Sequence, residues 1–352
     1  MLRFVKSLTA FLALTLVAAC VTGTPVSLVG SSANSLAQAT EAATAEAAPT
    51  ELTPITLFLG YVPNVQFAPI YVAMERGYFK DAGIDLKLEN SLNETDGLTR
   101  IGTNNLQFGL ISGEQTLLAR AQGAPVVYVF RWYQKFPVGI VVPASSDIKE
   151  PAQLAGKVVG IPGKFGASYT GLQALLNAAK LKESDLKELK AIGFDTAPVF
   201  CAGQVEASVV YIANEPEAIK KACMDVRVIP IADYANIVSN GLVTNEATIK
   251  DNANLVRGMV DALRHGLADT IADPKAAMEI AANGNYVPDL KADDALQMTV
   301  LTNSIDLWKA DVIGLSDPAA WQLTADTLKA MGQLTTDVDL TTVYTNSFVM
   351  MR

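Results

Sequence analysis

The sequence predicts an α/β fold of two lobes, with a helical C-terminal region packed on lobe one. Three observations carry this expectation. From Thr53 onward, short β-rich apolar runs alternate with helical patterns, the order that builds a mostly parallel sheet covered on both faces. The alternation begins a second course at Val138, and from Ala247 to the end the pattern is almost wholly helical. The 352 residues also exceed one ordinary core and suit two domains of roughly 150 residues each.

Taken in order, Ile55–Leu59 reads as a strand, Ala68–Arg76 as a helix that ends at Gly77, and Ile84–Leu88 as a second strand. Leu98–Thr103 is helical, Phe108–Ile111 a strand, Gly113–Ala121 a helix and Val126–Arg131 a strand. After Val138–Val142 come Pro151–Leu154, strand Lys157–Ile161, helix Ser168–Lys180 and strand Leu189–Ile192. Helix Ala197–Gly203, strand Ala207–Ile212, helix Pro216–Lys221 and strand Val226–Pro230 follow. The chain is expected to leave the first lobe near Val141–Ser145 and to return near Ala235–Leu242. Lobe one is then residues 53–142 with 240–352, and lobe two is residues 143–239. A ligand belongs between them, at the carboxyl ends of the strands.

Composition narrows the function. Half the residues are hydrophobic and 18% are charged, which excludes a disordered chain. A net charge of −9 argues against nucleic acid, whose binding needs clustered cations. The single histidine, His265, sits in a surface-type helical pattern; unless it serves, Ser-His-Asp and Cys-His catalysis are excluded. Multi-histidine metal sites are excluded too, and three scattered cysteines do not make a zinc or iron–sulfur site. No metal and no cofactor is expected, and the chain reads as a binder rather than a catalyst.

Residues 1–20 carry Arg3 and Lys6 ahead of an apolar run, Leu8 to Ala19, too short to span a bilayer as a mature helix. The ending Val17-Ala18-Ala19-Cys20 resembles the bacterial lipobox, so Cys20 is the expected lipidation site and 1–20 a lipoprotein signal peptide. Residues 21–52, rich in Ala, Ser, Thr and Glu, read as a flexible tether. These features predict an extracytoplasmic monomer held at the cell membrane through a lipid anchor. Outside the cytoplasm Cys201 and Cys223 either pair around the strand Ala207–Ile212 or remain two buried thiols.

Candidate ligand contacts cluster at strand–helix junctions. Pro63 and Pro69 hold the first turn and present Tyr61, Asn64 and Gln66 beside free helix-start N–H groups. Ser112 and Glu114 open the helix after the next strand, where capping alone also accounts for both. Phe130-Arg131-Trp132-Tyr133-Gln134 places rings at a strand end, and Trp132 and Tyr133 are the strongest clamp candidates. Stacking adds only about 0.5–1.5 kcal/mol per ring pair, whereas nanomolar binding needs ~12 kcal/mol, so rings from both sides and several hydrogen bonds must act together. In lobe two, Gly160-Ile161-Pro162-Gly163-Lys164-Phe165-Gly166 has the wrong spacing for a phosphate loop and instead brings Phe165, Ser168 and Tyr169 to the cleft, with Lys164 either meeting an anionic substituent or solvated. Asn214 and Glu215, before Pro216, either cap a helix or accept from a ligand, and Asp195 has the same ambiguity.

Two segments carry a family resemblance. Gly60-Tyr61-Val62-Pro63-Asn64-Val65-Gln66-Phe67-Ala68-Pro69-Ile70-Tyr71-Val72-Ala73, with Glu75-Arg76-Gly77-Tyr78-Phe79-Lys80-Asp81-Ala82-Gly83-Ile84-Asp85, resembles the opening of the NMT1/THI5-like family. Ile148-Lys149-Glu150-Pro151-Ala152-Gln153-Leu154-Ala155-Gly156-Lys157-Val158-Val159-Gly160 is similar to the start of lobe two in the same solute-binding proteins. The resemblance covers roughly residues 53–265. It implies a two-lobed type II periplasmic-binding-protein fold, a small-molecule ligand, and an ABC permease with its ATPase as partners. Gly163–Tyr169 and Val210–Pro216 look most like riboflavin-binding subunits, which implies a flavin. A formylaminopyrimidine or hydroxymethylpyrimidine is the alternative, and a sulfonate stands behind it, kept open by Arg131. The family also holds pyrimidine synthases; their chemistry needs a Schiff-base lysine, a nearby histidine and clustered cysteines. No lysine occurs between Lys87 and Lys135 and no histidine precedes His265, so that activity is not expected.

Overall fold

The computed structural model describes residues 51–284 and 286–350. The expected signal segment, Cys20 and the tether up to residue 50 lie outside the described residues. Ten strands are present among the described residues: β1 (Thr53–Leu59), β2 (Ile84–Asn90), β3 (Phe108–Ser112), β4 (Val126–Arg131), β5 (Val138–Pro143), β6 (Val158–Ile161), β7 (Glu188–Ala191), β8 (Ala207–Tyr211), β9 (Val226–Pro230) and β10 (Asn240–Asn245). The helices among the described residues are α1 (Ala68–Glu75), α2 (Tyr78–Asp81), α3 (Glu94–Gly102), α4 (Gly113–Ala121), α5 (Gly166–Ala178), α6 (Thr196–Cys201), α7 (Glu215–Ala222), α8 (Glu246–Asp251), α9 (Ala253–Ala272), α10 (Pro274–Asn283), α11 (Ala295–Trp308), α12 (Pro318–Ala330) and α13 (Ser347–Met350).

The strands form two five-stranded sheets, ordered β2-β1-β3-β10-β4 and β7-β6-β8-β5-β9. Each is parallel except for one inserted antiparallel strand, β10 in the first and β5 in the second. Period-two side-chain alternation gives every sheet two buried faces. In β1, Ile55, Leu57 and Leu59 enter a core shared with α1, α9, α10 and α11, while Phe58 points the other way, to a core shared with α3, α4 and α12. In β5, Val138, Ile140 and Val142 pack with α5, while Val141 joins Phe200 and Ile219 of α6 and α7. The C-terminal helices therefore cover both faces of the first sheet.

The first crossing lies earlier than Val141–Ser145. β5 follows β4 so closely that its apolar run looks continuous with lobe one, and hydrophobic pattern alone does not say which sheet a strand joins. Its ladders with β8 and β9 assign it to the second sheet, so the chain has already crossed by Val138. The outgoing segment (132–137) and the returning one (235–240) run side by side. The Trp132 N–H donates to the Asn240 carbonyl at 3.0 Å, the Ser239 hydroxyl to the Tyr133 carbonyl at 2.6 Å, and the Phe136 N–H to Asn236 Oδ1 at 3.1 Å.

Cys201 and Cys223 are joined in a disulfide, with 5.8 Å between their Cα atoms. It ties the end of α6 to the end of α7 over the smaller core of lobe two.

Candidate ligand-binding site

A cavity of about 390 Å³ opens between the two sheets, within the ~300–1,000 Å³ of small-molecule sites. Its floor is made by strand ends and helix starts. The β3–α4 junction supplies Ser112 and Gln115; the β2–α3 junction supplies Leu92, Asn93, Glu94 and Thr95. Lobe two adds Phe165 to Ser168 from the β6–α5 turn, Phe194, and Tyr211, Asn214 and Glu215 from the β8–α7 junction. Helix starts leave unpaired backbone N–H groups, so a ligand rich in acceptors is favoured there. At α5 the turn needs Gly166, whose φ of +63° strains any residue with a Cβ.

The lobe-one wall is aromatic and fully packed. Trp132 and Tyr133 are 1% and 5% exposed, and both rest on Trp308 of α11, Trp132 edge-on at 5.8 Å and Tyr133 stacked at 6.2 Å. Gln66 Nε2 donates to the Tyr133 hydroxyl at 3.2 Å. The Trp132 indole N–H is buried beside the Tyr133 hydroxyl. On lobe two, Phe165 and Phe194 are 58% and 50% exposed, and Phe194 meets Tyr61 of lobe one edge-on across the mouth at 5.9 Å.

Carboxyls give the site its polarity. Glu94 accepts from the Ser112 N–H at 3.0 Å and from its hydroxyl at 2.5 Å. Gly60 makes room for it, since a Cβ there would lie 2.6 Å from Glu94 Oε1. Burial pushes the Glu94 carboxyl up to about 7, against the downward pull of the two Ser112 bonds. Glu114, wholly buried behind it, is pushed up to about 8 by burial and then by the charge of Glu94, against the downward pull of its own backbone N–H and of Ser112. Burial likewise pushes Glu215 up to about 7, although it accepts the Tyr211 N–H at 3.0 Å. The Tyr211 phenol donates to Asn240 Oδ1 at 3.3 Å, joining strand ends of the two lobes. Burial, then the charge of Glu94, raises that phenol well above its ordinary range.

Of the residues expected at the ligand, Tyr61, Gln66, Ser112, Trp132, Tyr133, Phe165, Ser168, Asn214 and Glu215 line this cavity. Four others do not. Asn64 caps the turn before α1 by accepting the Gln66 N–H at 2.9 Å. Glu114 points into the lobe behind Glu94. Tyr169 turns to the far side of α5, where its hydroxyl donates to Glu183 at 2.9 Å. Asp195 is exposed at the start of α6, and its neighbour Phe194 takes the lining position. Ser112 occupies the helix-cap position of α4 but gives its hydroxyl to Glu94 rather than to the helix. Trp132 is a packed wall residue whose truncation would also disturb the core. Glu94, Tyr211 and Asn240 went unpredicted: Glu94 looks like an ordinary first-turn acid after Asn93, and only the sheet order brings it to Ser112.

Comparison with known proteins agrees with this geometry. A profile of the family described as NMT1/THI5 like matches residues 64–277. The riboflavin-binding protein RibY of Chloroflexus aurantiacus is 35% identical, over 89% of this chain and 91% of its own. A 4-amino-5-hydroxymethyl-2-methylpyrimidine phosphate synthase of Legionella pneumophila is 22% identical, over 84% of this chain and 92% of its own. Among solved structures, the periplasmic aliphatic sulphonate binding protein SsuA of Escherichia coli superposes with a TM-score of 0.68 at 16% identity, covering 84% of this chain and 92% of that one. The fold is therefore the two-lobed periplasmic-binding-protein fold, and the role it supports is substrate binding.

Proposed function

The chain belongs to the NMT1/THI5-like family, and on that premise we propose that it is the extracytoplasmic substrate-binding lipoprotein of an ABC importer, holding riboflavin or a close flavin between its lobes and passing it unaltered to the permease. The observation that carries the flavin reading is the cleft wall of Trp132, Tyr133 and Gln66, where aromatic rings and an amide line the cavity together. A flat ring system with carbonyl and ring-nitrogen acceptors suits such a wall. The helix start at α5 suits further acceptors, while Glu94, Ser112, Asn240 and Glu215 suit the hydroxyls of a sugar-alcohol chain. The similarity to a riboflavin-binding protein over nine-tenths of the chain supports the same ligand class.

Two other readings have less behind them. Arg131, which kept a sulfonate open, is buried and donates Nε to the Tyr133 carbonyl at 2.9 Å rather than lining the cleft. A synthase would need a lysine and a histidine at the ligand, and the described lining residues include neither. Ligand contacts on both lobes supply the differential affinity that shifts an open form to a closed one. Titrating purified protein into riboflavin tests the assignment: saturable quenching of flavin fluorescence at sub-micromolar protein is expected. Absence of quenching, with thermal stabilisation by a formylaminopyrimidine or hydroxymethylpyrimidine instead, would move the assignment to the pyrimidine branch.

A further inference from the structure

The cleft's charges carry an inference that rests on the flavin reading and goes beyond it. Glu94 on α3 and Glu215 at the start of α7 face the cavity from opposite lobes, and Glu114 stands buried behind Glu94. No lysine, arginine or histidine is among the described residues lining the cavity. The nearest cations by sequence are engaged elsewhere: Lys164 pairs with Glu183 at 2.5 Å, and Arg131 is buried against the Tyr133 carbonyl. Two of the helix starts are already matched by acids, Glu94 accepting the Ser112 N–H and Glu215 lying in the first turn of α7. The first turn of α5, which has no acid, offers roughly half a unit of positive charge, too little to balance a phosphate dianion.

We propose that Glu94, with Glu114 behind it, and Glu215 are specificity-determining residues that make the cleft accept uncharged riboflavin and reject its 5′-phosphate. An anionic phosphate drawn between the lobes would lose its water with no cation to replace it, and would stand against carboxyls on both sides. The same carboxyls, as acceptors or as protonated donors, meet the hydroxyls of the uncharged chain. Specificity here comes from an element that repels the competitor rather than from an added contact to the preferred ligand.

The test compares riboflavin with flavin mononucleotide by fluorescence titration at pH 8, where the phosphate is a dianion. In the wild-type protein the dissociation constant for the mononucleotide is expected to be at least about thirtyfold the higher. The ratio is expected to fall severalfold in Glu94→Gln and in Glu215→Gln, and furthest in the double variant. Equal binding of the two flavins by the wild-type protein would overturn the inference and leave the ligand assignment standing. So would an unchanged ratio in variants that still bind riboflavin. Failure of the wild-type protein to bind either flavin would overturn the ligand assignment and the inference together. The wild-type comparison needs no substitution, so a variant that does not fold leaves the test intact.

Discussion

The two walls of the cleft are built differently. The lobe-one wall is core: Trp132 and Tyr133 are buried and braced on Trp308, and Gln66 fixes the Tyr133 hydroxyl. The lobe-two wall is surface: Phe165 and Phe194 stand more than half or about half exposed on turns that contain Gly163, Gly166 and Gly193. A wall whose side chains are already ordered loses little entropy when a ligand arrives. A wall of exposed rings on glycine-bearing turns still has that ordering ahead of it. The difference teaches that lobe one presents a wall already ordered by packing, whereas the rings that lobe two presents are exposed.

The largest effect expected from this contrast is at Trp132. Trp132→Ala removes a buried indole and should lower stability by about 3–5 kcal/mol, with more than tenfold weaker flavin binding. Chemical denaturation and fluorescence titration measure the two losses. Intact stability would show that the lobe-one wall is not core. Lobe two depends next on its cross-link. Its smaller core holds only Val141, Ile192, Phe200, Val205, Val210 and Ile219 as buried apolar residues, and the Cys201–Cys223 disulfide spans 22 residues over it. Replacing both cysteines by serine should cost about 3 kcal/mol through loop-closure entropy, measured by denaturation with and without reductant. An unchanged midpoint would deny the disulfide that role.

Protonation gives a third, smaller handle. Glu94, Glu114 and Glu215 each hold a proton more tightly folded than unfolded, at about 7, 8 and 7 against an ordinary 4.5. Their contribution to stability is therefore full below about pH 4.5 and is lost as pH rises through 7 to 8. The melting temperature of the ligand-free protein should fall by several degrees between pH 5 and pH 8, and Glu114→Gln should flatten that slope. A melting temperature that rises over this interval would contradict the raised carboxyls. The smallest effect is expected at Phe165, where truncation to alanine should leave stability within about 0.5 kcal/mol and weaken flavin binding by about 0.5–1.5 kcal/mol. Loss of stability there would erase the distinction between the walls.

Local chemistry explains what the sequence made legible. Proline-held turns, glycine-bearing loops and rings at strand ends are local signals, and they located Tyr61, Gln66, Trp132, Tyr133, Phe165 and Glu215 at the cavity. The misplacements arise where a helix or a sheet decides. Tyr169 and Ser168 are neighbours, yet the helical turn of 100° per residue sends one to Glu183 and the other to the cleft. β5 and β10 are short apolar runs whose sheet membership depends on partners far along the chain, so local pattern sets the first crossing too late and does not reveal β10. Glu94 reaches the site because β1 lies between β2 and β3, an order no local pattern encodes.

A crystal structure of the protein grown with riboflavin tests most directly whether hinged halves enclose a flat ligand. The account predicts the ring system in contact with Trp132 or Tyr133 on one side and with Phe165 or Phe194 on the other, its covalent structure unchanged. Riboflavin lying outside the cleft, or touching one lobe alone in every copy, would contradict it.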